Sequence, residues 1–153
     1  FEFKFAVTAV ISIFHDVIFV LGIYTILGLE MSLTALAAFL TIVGYSINDT
    51  IVVYDRIREN LKLMRRESMA TVMNTSVNQT LSRTLLTGVS TLVVLLVLIF
   101  MGGEVIHGFS LALFLGTVIG TYSSVFVAST LVLDWNNYLE RKKALKTAAR
   151  AAR

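Results

Sequence analysis

Four apolar stretches dominate this chain, and each matches the thickness of a bilayer. They cover about residues 5–29, 33–55, 80–101 and 108–133. A transmembrane helix needs ~20 predominantly apolar residues, whereas a membrane β-strand needs only about 10. None of the stretches contains proline. Lipid offers backbone groups no hydrogen-bond partner, so runs of this length fold as helices, which satisfy their own. Composition agrees: 56% of residues are hydrophobic and 15% charged, against about 25% charged in soluble domains. The expected fold is an all-α membrane protein, a single transmembrane domain over residues 1–153. Its four spans form two antiparallel hairpins.

The basic residues give the topology. Of the 13 Lys and Arg residues, all but Arg83 flank the spans on one side. Lys4 precedes the first span. Arg56, Arg58, Lys62, Arg65 and Arg66 lie between the second and third, and the rest follow the fourth from Arg141 to Arg153. The opposite loops, near Glu30 and from Gly102 to Gly108, carry none. By the positive-inside rule the basic side is cytoplasmic, with both ends of this stretch there. The same placement removes the need for a nucleic-acid partner. With no cysteine, disulfides, thiol catalysis and cysteine-ligated metal are excluded; neither cofactor nor metal is expected.

A short turn at Gly28–Ser32 makes the first two spans antiparallel neighbours, with Ser32 or Thr34 as the cap of the second. The link from 57 to 79 is expected to hold a short amphipathic helix on the inner membrane face. Met69, Val72, Met73, Ser76 and Val77 recur there at helical spacing; a solvated loop is the alternative. The tail 136–153 is rich in Arg, Lys and Ala. It favours helix, either against anionic lipid or frayed in water. In the fourth span Ala112, Gly116, Gly120, Ser124 and Ala128 recur every four residues. That ladder suits close backbone contact with a neighbouring helix, in this bundle or in another subunit.

The polar residues inside the spans carry the functional expectation. A carboxylate at the centre of a membrane helix costs roughly 2.5–3.5 kcal/mol, so Asp49, with Asn48 beside it, reads as functional. Counting helix rise from the basic flanks puts Asp49 roughly 10 Å inside the cytoplasmic edge and Arg83 about 6 Å inside it. Matched depth suggests an ion pair and a proton relay. Tyr45 and Asn48 on one helix, with Thr84 and Thr87 on the next, are candidates for a supporting polar path. Their alternative use is bonding to their own backbone. His15 and Asp16 stand either as a second protonatable station or as a structural pair. An aspartyl protease dyad of Asp16 and Asp49 is disfavoured by the cation near Asp49. No enzymatic activity is expected.

The run from Gly44 to Asn60, GYSINDTIVVYDRIREN, closely resembles the signature of SecF in the SecD/SecF protein-export family. So do Phe14-His15-Asp16-Val17, the stretch from Gln79 to Thr84, Gly108-Phe109-Ser110 and the stretch from Gly120 to Ser124. The resemblance implies an accessory component of the Sec translocon in the bacterial inner membrane. It implies use of the proton-motive force to pull exported polypeptides through, with a SecD-like partner and membrane lipid as surroundings. It implies the resistance-nodulation-division arrangement, and roles in the proton pathway for Asp49 and Arg83. It further implies that this chain corresponds to the last four helices of a longer protein whose external domain engages the exported polypeptide. Gly88 stands where the family pattern suggests serine. Two other functions remain open: a passive helix-packing scaffold, and a proton-driven exporter of small molecules or lipids from the same superfamily.

Overall fold

The computed structural model describes residues 3–151; Arg153, counted above in the basic tail, lies outside them. Four helices fill this range: α1 (Phe3–Ile26), α2 (Leu33–Leu63), α3 (Met69–Met101) and α4 (Gly103–Ala151). All four are long and apolar enough to cross a membrane.

The helix ends are set by local chemistry. Gly28 takes φ +66° after α1. Its N–H bonds the Thr25 carbonyl at 3.0 Å, and the next N–H, of Leu29, bonds that of Tyr24 at 3.3 Å. This left-handed cap satisfies carbonyls that α1 would otherwise leave bare. Ser32 caps α2 by accepting from the Ala35 N–H at 3.1 Å. Ser68 caps α3 in the same way through Thr71, at 3.2 Å.

Two expectations need correction. The link between the second and third spans is only residues 64–68, because α2 runs on to Leu63 and α3 starts at Met69. No separate amphipathic helix lies between them. Val72, Met73 and Ser76 belong to a buried stripe that continues through Thr80, Thr84 and Gly88. It faces the neighbouring helices, and nothing between Ser68 and Gly88 breaks the helix. The 102–108 segment is likewise not a loop. Gly102 and Gly103 make the whole turn, with Gly103 at φ +74°, and a Cβ at Gly102 would overlap the Leu98 carbonyl. Beyond the fourth apolar stretch, the basic tail continues α4 as helix to Ala151.

Side-chain pairs give the packing register. Thr8 meets Tyr54 and Asp16 meets Ser46, so α1 and α2 run antiparallel. Tyr45 meets Thr91, Arg56 meets Gln79 and Asn60 meets Ser76, so α2 and α3 also run antiparallel. α4 is central: it touches the other three, whereas α1 and α3 do not meet. It lies parallel to α2, with Gly116 over Ile42, Gly120 over Ser46 and the Ala128 carbonyl on the Tyr54 hydroxyl. The small-residue ladder therefore packs inside this bundle, against α2. Ala112, Ser124 and Ala128 are wholly buried.

Two apolar clusters result. One, at the end carrying Arg56–Arg66, contains Phe5, Val53, Tyr54, Ile57, Met73 and Val132. The other, toward the Gly28 turn, contains Val20, Tyr24, Ala38, Phe39, Ile42 and Ala112. Ser12, Asp16, Ser46, Asp49 and Ser123, all buried, lie between them.

Candidate functional site: a polar layer between two apolar clusters

Two carboxylates are buried in this layer, and their surroundings differ. Asp16 on α1 is wholly buried. One carboxylate oxygen is 3.0 Å from His15 Nδ1, and the other accepts the Ser46 hydroxyl at 2.5 Å. His15 is partly exposed and stacks on Phe19, with ring centroids 4.6 Å apart. Asp49 on α2 is 6% exposed, and its buried Oδ2 has no hydrogen-bond partner in the protein. A lone buried carboxylate is costly, because the low-dielectric interior gives its charge nothing in exchange for lost hydration. Both carboxylate oxygens of Asp16 have partners, whereas Asp49 Oδ2 has none.

Arg83 does not close on Asp49: no ion pair within 4.0 Å joins them, although the guanidinium acts on the carboxylate electrostatically. The register explains the gap. The α2–α3 pairs put Asp49 opposite Leu86 and Thr87, and Arg83 opposite Val52 and Val53. The two groups are thus offset by one helical turn, about 5 Å along the axis. Arg83 is exposed and lines a cleft of about 380 Å3 between α2 and α3, with Val52, Asp55, Arg56, Glu59 and Gln79. The cleft lies toward the basic end.

The expected polar path is only partly assembled. Tyr45 donates to Thr91 at 3.5 Å, and Thr84 is buried. Asn48 is exposed. Thr80, Thr87 and Thr91 donate to carbonyls of their own helix, the backbone use weighed above; Thr84 is the member of that stripe without such a bond. Gly88 lies against α4, where a Cβ would stand 3.0 Å from Thr121 Oγ1. That hydroxyl, too, is buried without a partner.

A second polar seam was missed from sequence. On α1, Thr8, Ser12 and Asp16 are all buried; so, facing them on α2, are Tyr54, Thr50 and Ser46. Tyr54 donates to Thr8 at 3.0 Å and to the Ala128 carbonyl at 3.1 Å, and Ser12 pairs with Ser123 of α4 at 2.9 Å. The signal was present as a four-residue recurrence of polar side chains on each helix. The seam ties α1 to α2 and α4 through buried hydrogen bonds, while α3 meets α2 along an open cleft.

Comparison with known proteins places this geometry in context. The family described as protein export membrane protein SecD/SecF, C-terminal, matches residues 1–138. The chain is 51% identical to the protein translocase subunit SecDF of Thermus thermophilus, covering 95% of the chain and 20% of that protein. It is 52% identical to the protein translocase subunit SecF of Desulfurispirillum indicum, covering 92% of the chain and 46% of that protein. A crystal structure of SecDF in its super-membrane-facing form superposes with a TM-score of 0.91 at 51% identity, over 95% of this chain and 20% of that one. The chain thus spans less than half the length of these relatives.

Proposed function

We infer the function from a membership: the chain belongs to the SecD/SecF family of protein-export membrane proteins. Its proposed role is the membrane portion of a Sec export subunit, working beside a SecD-like partner and the translocon in the bacterial inner membrane. There it couples proton flow to the movement of an exported polypeptide. Asp49 takes up and releases the proton, and Arg83 alternates between approaching that carboxylate and withdrawing into the cleft. The observation that carries this reading is the buried, unpartnered Asp49 Oδ2 with a guanidinium one turn away.

The chemistry follows from charge. A nearby cation favours the ionised carboxylate, and its departure from a desolvated site favours the acid. Proton uptake is thereby tied to displacement of α3 against α2. Each charge carried across the field gains ~2.3 kcal/mol per 100 mV. Tyr45 and Thr84 are proposed to line the route. Asn48, exposed beside Asp49, is proposed to meet water or the partner. For His15 and Asp16, the fully partnered carboxylate favours the structural reading.

The test is Arg83→Met in the full-length protein with its partner. It should insert normally and lose export stimulated by the proton-motive force, because the cation that exchanges with the proton is gone. Retention of full stimulation would leave the scaffold reading in possession. Orientation is tested separately. Single cysteines replacing the exposed Glu67 and Glu104 should react with an impermeant thiol reagent from opposite faces, Glu67 from the cytoplasm. Reaction from one face would reject the proposed topology.

A further inference from the structure

We propose that Gln79 is the positioning residue for Arg83: by accepting two hydrogen bonds from α2, it fixes the turn of α3 from which the guanidinium projects. This rests on the relay reading only for its consequence in export; the geometry stands apart from it.

Gln79 Oε1 accepts from Arg56 Nε at 2.7 Å and from Asn60 Nδ2 at 2.9 Å. The same Asn60 nitrogen donates to Ser76 Oγ at 2.9 Å. Asn60 is 4% exposed and Ser76 is wholly buried, so the Asn60 amide is held in a dry contact, while Gln79 reaches it from the exposed edge of the cleft. Arg56 adds a charge-assisted bond and is itself steadied by Glu59 at 2.6 Å. Two donors one turn apart on α2 thus converge on a single acceptor on α3.

Gln79 and Arg83 are four residues apart, on one face of the helix, and both line the α2–α3 cleft. Farther along α3, the remaining polar link to α2 is Tyr45–Thr91, at 3.5 Å. Leu85, Leu86, Val89 and Val93 are all exposed. α4 holds the buried face of α3, and on the cleft side near Arg83 the polar anchor of α3 to α2 is Gln79. This also gives a use to Arg56 and Asn60, which no step of the relay employs.

The acceptor, not the bulk, is what matters. Gln79→Glu keeps an oxygen for both donors; Gln79→Leu keeps the volume and removes it. In the full-length protein freed of other cysteines, Val52→Cys and Arg83→Cys are placed at matched register and cross-linked oxidatively in membranes. Adding Gln79→Leu should slow cross-linking about tenfold, the factor that losing a charge-assisted hydrogen bond is worth. Adding Gln79→Glu should leave the rate within about twofold. An unchanged rate with Gln79→Leu overturns the proposal, as does equal slowing by both variants. If Gln79→Leu does not accumulate, Arg56→Met removes one of the two bonds and should slow cross-linking in the same sense; no slowing there overturns it equally. With Arg83 intact, Gln79→Leu should lose proton-driven export and Gln79→Glu should keep it. If cross-linking responds while export does not, the positioning role stands and the relay falls.

Discussion

Gly116→Ala should lower the thermal stability of the purified protein, and Gly116→Leu should prevent ordered assembly. A Cβ at this position would overlap the Cγ1 and Cδ1 atoms of Ile42. Ile42 is 1% exposed, enclosed by its neighbours. Overpacking of this kind costs about 1–3 kcal/mol, more than the ~1 kcal/mol that alanine gains over glycine within a helix. Gly120 offers an internal comparison on the same face. A Cβ there meets Ser46 Cβ at 3.4 Å, close to ordinary contact, so Gly120→Ala should be nearly neutral. Ile42→Ala combined with Gly116→Ala should recover much of the loss, since it removes the overlapping atoms. Loss of the monodisperse species on heating is the measurement. Equal effects of alanine at 116 and 120 would show that the α2–α4 contact is not what selects glycine.

The small-residue face of α4 was legible in the sequence. Five small residues spaced by four fall on one helix face whatever the fold. Their partner was not legible, because choosing α2 over another subunit requires the register between helices. The four apolar spans were readable for the same local reason, and so was a cap at Ser32 or Thr34, of which the structure uses Ser32. The stretch from Met69 to Val77 misled because its periodicity suits two situations equally: a helix lying on a membrane surface, and the first turns of a helix packed against α2. Only tertiary contact separates them. Gly102 and Gly103 read as loop, yet a positive φ at Gly103 lets α4 begin at once.

The site divides along similar lines. Burial of Asp49 followed from its place in an apolar stretch, and the nearness of Arg83 on the next helix from helix rise. The one-turn offset between them did not follow, because counting from the basic flanks cannot resolve a single turn. The seam of Thr8, Ser12 and Asp16 with Tyr54, Thr50 and Ser46 needs both helices at once; taken singly, each hydroxyl looks like ordinary backbone bonding. The contrast between the two carboxylates depends wholly on what each one touches. It favours a structural use for Asp16, and in the proposed relay the change of charge falls to Asp49.

Asp49→Asn in the full-length protein, with its partner, tests this division most directly. The amide keeps the shape of the side chain and removes its proton chemistry. It also leaves no buried charge at position 49, so insertion and thermal stability should equal or exceed those of the parent. Export without an imposed gradient should be unchanged. The measurement is proton flux into sealed vesicles during export under an imposed proton-motive force, followed with a pH-sensitive dye. The account predicts that both the flux attributable to this protein and the stimulation of export are lost. Asp16→Asn provides the contrast: it should lower stability by about 1–3 kcal/mol through the weakened Ser46 and His15 contacts, while any protein that survives keeps its flux. Undiminished proton flux and full stimulation of export in Asp49→Asn would contradict the account.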